Sequence, residues 1–511
     1  MTTAHHQRMS GVDTAWLRMD SAANSMVIVG ITVTETPVRP AEFRRLVRDR
    51  FLCFPRFRQR PVSDALGASW VEDADFDLDA HVKLVALTGP DGRTELAALA
   101  ADLASTPLDA SRPLWQIHLV KHYAGGSAWI TRIHHCYADG IAMIRVLLSM
   151  TEDRASARNA GSADRRTPGP GRRRRIDLLP LIDWVGQISP PAGDVLETAI
   201  SEGAHLLETG LHQALHPEQA VALARHAGGM VGELAKVIAL SDDPATPLRG
   251  ALSGRKAIAW ADPFPLEGIR AVGRALDCTI NDVLMSTVAG ALGGYLRDQG
   301  HDVQGLRIRA TVPVNLRGPE QALSLGNCFG LIFVEMPLGM RNPLRRLYAM
   351  HATMAGLKGS MQPPMTLAML GLLGMLPAAV QAPAIELFSR KGTAVVSNVP
   401  GPKTPLYLCG QRISEMFFWV PQSGSMGVGV SVLTYAGRVH VGMIADRNVV
   451  PDPKQVVDRF APEFEKLRSS VSVGALAAGD ARKTATKARE KTRRKERRNG
   501  HGRPRKRRIG K

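Results

Sequence analysis

The most constraining feature of the chain is the stretch of residues 134–140, which reads His-His-Cys-Tyr-Ala-Asp-Gly. The alternating residues 128–133 before it predict a β-strand, and the apolar residues 141–150 after it predict a helix. Two adjacent histidines on an extended backbone point to opposite faces, so at most one can enter a given channel. A neutral imidazole can take a proton from a bound alcohol near pH 7. The pattern favours a catalytic histidine at this strand-to-helix turn, with a histidine packed in the core as the alternative.

Composition describes a globular protein with more than one domain. The chain has 511 residues, of which 44% are hydrophobic and 22% charged, enough for two or three domains with substantial cores. Its five cysteines include no Cys-x-x-Cys pair, which argues against a disulfide framework or a metal site and favours a reducing compartment. Residues 1–19 lack the apolar segment of a signal peptide, so we expect a cytoplasmic protein.

The net charge of +18 comes from two segments. Residues 480–511 hold 16 Lys and Arg against 3 Asp and Glu, and residues 154–175 hold 8 Arg against 1 Asp, so the rest is near neutral. The C-terminal segment has almost no apolar residues and is predicted to be disordered. Attachment to anionic lipid is one interpretation of its charge, and a solvated extension is the other. No nucleic-acid partner is expected, because no aromatic stacking platform accompanies the charge.

Composition along the chain predicts two lobes of an α+β fold. The first lobe is placed in residues 1–153, an Arg-rich linker and helical connection in 154–250, the second lobe in 251–468 and the basic tail in 469–511. Periodicity in the second lobe predicts a helix over 282–296. The predicted strands of this lobe are 307–313, 331–336, 393–396, 428–434 and 439–444. A cleft between two such lobes is the default position for a site.

Residues 359–385 carry no charge and bear on membrane association. Residues 367–376 within them are almost wholly apolar. Flanking prolines limit the uninterrupted helix to about a dozen residues, which is too short to span a bilayer. Two interpretations stay open: a buried helix, or a helix that lies at a lipid surface or lines an acyl channel.

Several motifs, in one order along the chain, resemble the bacterial wax ester synthase/diacylglycerol acyltransferase family. The resemblance extends from Ser10 to Leu467. Its first motif, within residues 13–26, resembles the opening strand region of the family. The motifs that follow are Pro55–Arg60, Phe76–Asp79, His81-Val82, Arg112–Trp115, His134–Gly140, Asn281-Asp282, Val312–Arg317, Gly326-Asn327 and Ser397–Pro402. Each motif is weak by itself, whereas the ordered set is specific.

The resemblance implies two chloramphenicol-acetyltransferase-like lobes joined by a helical crossover. It implies acyl-CoA as co-substrate, no cofactor, and diacylglycerol or a fatty alcohol as the acceptor. From it we expect triacylglycerol synthesis, with wax ester synthesis as a second activity. We further expect a monomer or homodimer that attaches peripherally to the inner face of the plasma membrane or to lipid droplets through the basic tail and residues 359–385.

The resemblance also assigns roles within the motif. Substrates would meet at His135, which would act as the general base, and His134 would orient it or support the fold. Asp139 would form a buried ion pair with an arginine rather than transfer a proton. Gly140 would leave room for close approach of backbone or substrate.

Cys136 and Tyr137 depart from the pattern of the family, whose members more often have alanine and a small aliphatic residue there. This difference bears on the width of the channel and on the preferred acceptor. Cys136 also offers an alternative chemistry, because a thiolate attacks thioesters readily. Strand alternation opposes that route, since it turns Cys136 away from the face of His135.

Three further motifs supply candidate site residues. Thr279 to Asp282 reads as a capping box ahead of an apolar helix, and a place for Asn281 in the wall of the site is the alternative. Pro113-Leu114-Trp115 is interpreted mainly as packing. The segment after the strand at 393–396, which begins with Ser397 and Asn398, is predicted to be a rigid loop near the CoA entrance.

Two other functions compete with the first. Condensation-type relatives share the HHxxxDG pattern, so the chain could transfer acyl groups from CoA or a carrier protein to a specialised alcohol. It could also be a catalytically silent lipid-binding homologue. The intact pair of histidines disfavours the silent protein, which would have no chemical need for both.

Overall fold

The computed structural model describes residues 7–64, 67–89, 92–152, 237, 240–318 and 325–471. The predicted Arg-rich linker over 154–175, most of the helical connection after it and the basic tail beyond 471 lie outside these residues.

The described chain contains both helices and strands, in runs of one kind as well as in alternation. The helices are α1 (Gly11–Arg18), α2 (Pro40–Leu46), α3 (Leu78–His81), α4 (Gly92–Ser105), α5 (Gly140–Met150), α6 (Leu266–Leu276), α7 (Ile280–Asp298), α8 (Pro343–Gly356), α9 (Gln362–Met375), α10 (Ala378–Ser389) and α11 (Lys454–Val457), with a π-helical turn at Val47–Phe51, a 3-10 turn at Pro55–Arg58 and helical residues at 460–471. The strands are β1 (Gln7–Arg8), β2 (Val27–Thr34), β3 (Gln59–Asp64), β4 (Gly67–Glu72), β5 (Val82–Val85), β6 (Trp115–Tyr123), β7 (Gly126–His134), β8 (Lys256–Trp260), β9 (Phe264–Pro265), β10 (Ile308–Asn315), β11 (Phe329–Met336), β12 (Ala394–Pro400), β13 (Tyr407–Leu408), β14 (Gln411–Trp419), β15 (Val428–Tyr435) and β16 (Arg438–Asp446).

Two large sheets form the two lobes of a mixed α+β fold, as predicted. The N-terminal sheet has the strand order β13-β14-β2-β7-β6-β5, and the C-terminal sheet has the order β11-β10-β12-β15-β16-β8, with β9 paired to β16. A small third sheet has the order β1-β4-β3. In the C-terminal sheet, β12 runs parallel to both of its neighbours. It is buried along most of its length, which suits its nearly continuous apolar sequence.

A strand from late in the chain completes the N-terminal sheet. Strand β14 pairs antiparallel with β2, with Trp419 opposite Val29 and Phe417 opposite Ile31. The same strand packs against β15 and β16 of the other sheet. The two lobes therefore share a strand and an apolar interface, and one core cluster includes Trp16 and Trp129 together with Leu433 of the C-terminal sheet.

Helix α1 corrects one prediction, because residues 13–17 were assigned to an opening strand region and lie in a helix. The helix begins where the Ser10 hydroxyl accepts the Asp13 N–H at 3.0 Å, a cap that satisfies one of the free donors of the first turn. Glycines let α1 cross α9 closely, since a Cβ on Gly11 or Gly374 would collide with the main chain of the other helix. This crossing sets the position of α1 beside the motif.

Helix α9 takes up the apolar part of the charge-free stretch. Eight of its residues are buried, including Leu367, Leu370 and Leu373, and the helix packs against α1 and β11. Met375 at its end is 51% exposed, and Leu387 on α10 is 39% exposed. Among the described residues, none of the helices combines the length and apolar character needed to cross a bilayer.

Candidate active site

The motif begins at His134, the last residue of β7, and ends at Gly140, the first residue of α5. Strand β7 is central, with His134 opposite Val27 of β2. The turn is tied to the second lobe, because the Asp139 N–H donates to the Gly326 carbonyl at 3.2 Å and the Gly326 N–H donates to the Tyr137 carbonyl at 3.0 Å. The motif therefore has contacts from both lobes.

Both histidines of the motif are buried, His134 at 2% exposure and His135 at 5%. Burial lowers the pKa of each imidazole to about 4. Both rings are consequently neutral near pH 7, the state in which an imidazole can accept a proton. The His134 Nδ1 accepts the Cys136 N–H at 3.2 Å, so this ring is engaged in holding the turn.

The ring of His135 contacts two aromatic side chains that also contact each other. It stacks on Trp16 of α1, with ring centroids 4.2 Å apart and an interplanar angle of 20°. Phe329 of β11 lies at 5.6 Å. The Nδ1 atom is enclosed and has no hydrogen-bond partner among the described residues. A substrate cannot reach an enclosed atom, so a base at this position would have to act through Nε2.

Asp139 fixes the start of α5. Its Oδ1 accepts the Ala142 N–H at 2.9 Å as the helix cap. Its Oδ2 accepts the Cys328 N–H at 3.0 Å and pairs with Arg317 Nη2 at 2.7 Å. The ion pair implied by the family resemblance is thus present, and Arg317 belongs to the motif that ends β10. With both oxygens engaged, the carboxylate is suited to holding the turn.

Asn327 links the motif to α1, a connection that the sequence analysis missed. Its Nδ2 donates to the His135 carbonyl and to Asp13 Oδ1, both at 2.8 Å, and its backbone N–H donates to the same Oδ1 at 3.0 Å. Asp13 is buried, which raises the pKa of its carboxyl group. The motifs that contain Asp13, Trp16 and Asn327 were noted in the sequence, but their proximity to His135 arises only from the fold.

Cys136 and Tyr137 are both enclosed. Burial raises the pKa of the Cys136 thiol well above its usual range, which opposes the covalent alternative because the thiolate is the nucleophile. The Tyr137 hydroxyl donates to the Gln59 carbonyl at 2.6 Å and accepts the Leu114 N–H at 3.0 Å. The Tyr137 hydroxyl therefore connects the turn to β3, which begins at Gln59, and to Leu114 just before β6.

Pro113-Leu114-Trp115 lies directly beside the motif. The Leu114 carbonyl accepts the His134 N–H at 2.9 Å. The fully buried Trp115 donates from Nε1 to the Phe57 carbonyl at 2.8 Å. These contacts are consistent with the packing role that was predicted.

The N-terminus of α7 has the predicted capping box. Asp282 N–H donates to Thr279 Oγ1 at 3.1 Å, and Thr279 N–H donates to Asp282 Oδ2 at 2.8 Å. His351 Nδ1 lies 2.8 Å from the same Oδ2. Among the described residues, Cys278, Asp282 and His351 form the one group that places three potential metal ligands within 4.8 Å of one another. Asp282 is already engaged by the cap and by His351, so the arrangement has a structural explanation without a metal.

The segment from Ser397 was predicted to be a loop, and this prediction is wrong up to Pro400. Strand β12 continues through these residues because each pairs with β15, for instance Ser397 with Ser431 and Asn398 with Val432. The Asn398 side chain donates to Asn281 Oδ1 at 3.1 Å. The two asparagines therefore join α7 to β12.

An apolar cavity of about 120 Å³ lies beside α5, between the two sheets. Its lining residues are Ile28, Gly30, Thr32, Thr131, Ile133, Gly140, Met143, Ile144, Leu147, Val399, Met416, Phe417, Phe418 and Leu433. His135 is not among them, but Gly140 at the end of its turn is. A Cβ on Gly140 would meet only Val399 Cγ2, at 3.9 Å, so the room at this glycine belongs to the cavity rather than to a close backbone contact. A larger cavity of about 430 Å³ is more polar, lies between residues 241–244 and 302–309, and shares no residue with the motif.

Comparisons with known proteins agree with this geometry. A sequence model of the wax ester synthase/diacylglycerol acyltransferase catalytic domain matches residues 9–284, and one of the C-terminal domain matches residues 325–468. The probable diacylglycerol O-acyltransferase Tgs1 of Mycobacterium tuberculosis is 29% identical over 447 residues, which is 84% of this chain and 89% of that protein. A second protein of that species with the same kind of name is 27% identical over 480 residues, 90% of this chain and 97% of the relative.

Solved structures show the same fold. The wax ester synthase/diacylglycerol acyltransferase of Marinobacter aquaeolei VT8 matches with a TM-score of 0.63 at 21% identity, covering 91% of this chain and all of that one. The starter condensation domain of rhizomide synthetase matches with a TM-score of 0.55 at 14% identity, covering 91% and 94%. With the motif turn, the two lobes and both domain models in agreement, the chain belongs to the wax ester synthase/diacylglycerol acyltransferase family.

Proposed function

We propose that this acyltransferase moves an acyl group from acyl-CoA to the hydroxyl group of diacylglycerol, giving triacylglycerol, and accepts fatty alcohols as a second class of acceptor. The observation that carries the proposal is the neutral, buried imidazole of His135 at a strand-to-helix turn that ends beside an apolar cavity. An imidazole supplies the base, and the cavity offers an apolar surface to a hydrocarbon chain.

In the proposed reaction His135 Nε2 takes the proton of the acceptor hydroxyl as its oxygen attacks the thioester carbonyl carbon. The new C–O bond forms, the C–S bond breaks, and the imidazolium returns its proton to the leaving sulfur. General-base help of this kind supplies roughly 10²–10⁴ in rate. The carboxylate of Asp139 favours the charged imidazolium and so counteracts part of the effect of burial on the pKa of His135.

The donor and the acceptor are supported by different observations. A structure of the rhizomide synthetase condensation domain holds C8-CoA, and a scaffold of this shape can therefore accommodate an acyl-CoA. The mycobacterial relatives are named diacylglycerol O-acyltransferases, which favours diacylglycerol over a fatty alcohol as the first acceptor.

Peripheral attachment to a lipid surface is part of the proposal. Met375 and Leu387 are exposed apolar side chains on the α9–α10 segment, and the basic tail would add electrostatic attraction of about 1 kcal/mol per Lys or Arg near an anionic surface. The buried face of α9 packs inside the protein, so only the exposed end of this segment is available to lipid.

Radiolabelled acyl-CoA offered with diolein or hexadecanol, followed by thin-layer chromatography, tests the proposal. We expect labelled triacylglycerol and a smaller amount of wax ester, and loss of both in His135→Ala. His118→Ala is the matched control, because His118 is also buried, with a pKa lowered to about 4, but lies on β6 outside the motif. Full turnover in His135→Ala would overturn the base assignment.

The same assay separates the competing functions. Product only with a carrier-bound acyl donor would support the condensation-type reaction instead. Binding of lipid without any product from either donor would support a silent lipid-binding protein.

A further inference from the structure

We propose that Asn327 is the positioning residue that fixes the proton of His135 on Nδ1 and leaves Nε2 free to act as the base. This inference rests on the proposed function, in which His135 is the base. It concerns a residue whose motif was noticed in the sequence without any role.

Two enclosed atoms carry the inference. His135 Nδ1 and Asn327 Oδ1 are both buried, and neither has a hydrogen-bond partner among the described residues. A buried polar group without a partner costs about 1–3 kcal/mol. The amide oxygen can only accept a hydrogen bond, so the two atoms suit each other only if Nδ1 carries the proton.

The orientation of the Asn327 amide is set by its other contacts. Its Nδ2 donates to the His135 carbonyl and to Asp13 Oδ1, both at 2.8 Å. If the amide oxygen and nitrogen were exchanged, the Asn327 oxygen would face the His135 carbonyl and Asp13 Oδ1, and these three acceptors would have no donor among them. The nitrogen must therefore face Asp13, and the oxygen is left as an acceptor at the side of His135.

The ring of His135 is bordered by aromatic side chains and by its own backbone carbonyl. One face of the ring stacks on Trp16, and Phe329 lies nearby. The carbonyl of His135 itself is within reach of Nδ1, and Asn327 holds that carbonyl in place. The Asn327 side chain and that carbonyl both act to raise the pKa of His135, against the larger effect of burial.

The chemical consequence concerns the proton that moves. With Nδ1–H held toward Asn327, the lone pair of Nε2 points away from it and accepts the hydroxyl proton. The resulting imidazolium has N–H on both nitrogens, and Nδ1–H keeps its acceptor while Nε2–H returns its proton to the leaving sulfur. The tautomer with the proton on Nε2 would instead leave the enclosed Nδ1 as the basic atom, which the acceptor cannot reach.

The test measures the tautomer directly. The full-length protein is labelled with ¹⁵N at histidine, and the nitrogen chemical shifts of His135 are assigned by their loss in His135→Gln. We expect the neutral Nδ1–H form in the unaltered protein. In Asn327→Leu we expect that preference to be lost and kcat to fall roughly 10–100-fold, with KM nearly unchanged because ground-state binding is not touched.

A rescue variant separates positioning from general support of the fold. Asn327→Asp combined with Asp13→Asn keeps the charge of the pair and places an acceptor beside Nδ1 again, although the donor to the His135 carbonyl is lost. We expect the Nδ1–H tautomer to return and kcat to recover in part. Asn448→Leu is the control, since Asn448 is exposed and its side chain donates to the Ala251 carbonyl, at 3.3 Å, far from the motif in sequence.

The outcomes are distinguishable. A proton on Nε2 in the unaltered protein overturns the inference, as does folded Asn327→Leu with the Nδ1–H form and full kcat. If Asn327→Leu does not fold, Asn327→Ser takes its place, and the tautomer of the unaltered protein decides by itself. Nδ1–H in a protein that turns over no acyl acceptor would overturn the proposed function and leave the positioning role standing.

Discussion

Removing the charge of Asp139 should destabilise the protein strongly, although the shape of the side chain is kept. In Asp139→Asn the helix cap survives, because asparagine caps as well as aspartate. The ion pair with Arg317 is lost, and that guanidinium stays at 8% exposure without its carboxylate. Breaking a buried pair by removing one partner costs about 3–5 kcal/mol, and we expect a loss of that size in the free energy of unfolding.

A double variant tests whether the buried Arg317 guanidinium is the source of this loss. Arg317→Met in the Asp139→Asn background takes away the buried cation, so the double variant should lose less than the sum of the two single variants. Contacting residues typically couple by 0.5–3 kcal/mol, and we expect roughly the upper end of that range. Urea unfolding followed by tryptophan fluorescence measures all four proteins of the cycle. An Asp139→Asn variant within about 0.5 kcal/mol of the unaltered protein, or strict additivity in the double variant, would refute the reasoning.

Three other predictions concern pH, stacking and the thiol. Burial lowers the pKa of His440 to about 4. Between pH 6.5 and 4 the unfolded chain therefore binds one more proton than the folded chain, and the free energy of unfolding falls as pH falls. His440→Phe should reduce this pH dependence by up to about 1.4 kcal/mol per pH unit, measured by urea unfolding at pH 7, 6 and 5. Trp16→Leu removes the ring stacked on His135 and should lower kcat up to roughly tenfold, since an aromatic pair contributes about 0.5–1.5 kcal/mol; unchanged steady-state kinetics would contradict this. Cys136→Ala should retain turnover in the chromatography assay, and its loss would revive the covalent route.

One prediction addresses the tail. Deletion of residues 480–511 should weaken sedimentation with anionic vesicles without abolishing turnover, because the charge would act on the lipid surface rather than on the site. Equal sedimentation of the shortened and full-length chains would show that the tail does not contribute to membrane attachment.

Local patterns in the sequence predicted those parts of the protein that depend on neighbouring residues. Strand β7 follows from the alternation of its residues, and helix α5 follows its cap residue Asp139, whose side chain accepts the N–H of Ala142 three residues later. The capping box of α7 is likewise formed within the four residues from Thr279 to Asp282. Where local cues were weak, prediction failed: the Ser10 cap of α1 was missed, and β12 runs on to Pro400 because β15 lies beside it.

The composition of the site was decided by the tertiary structure. Asn327 reaches the His135 carbonyl across 192 residues of sequence, and Arg317 reaches Asp139 across 178. Strand β14 pairs with β13, its neighbour in sequence, along one edge and with the distant β2 along the other. The sequence alone determined where the turn with its two histidines would form, since caps and alternation act over a few residues. Which side chains enclose the base depends on apolar burial and strand pairing, which have no preferred sequence separation, so only the folded chain could settle it.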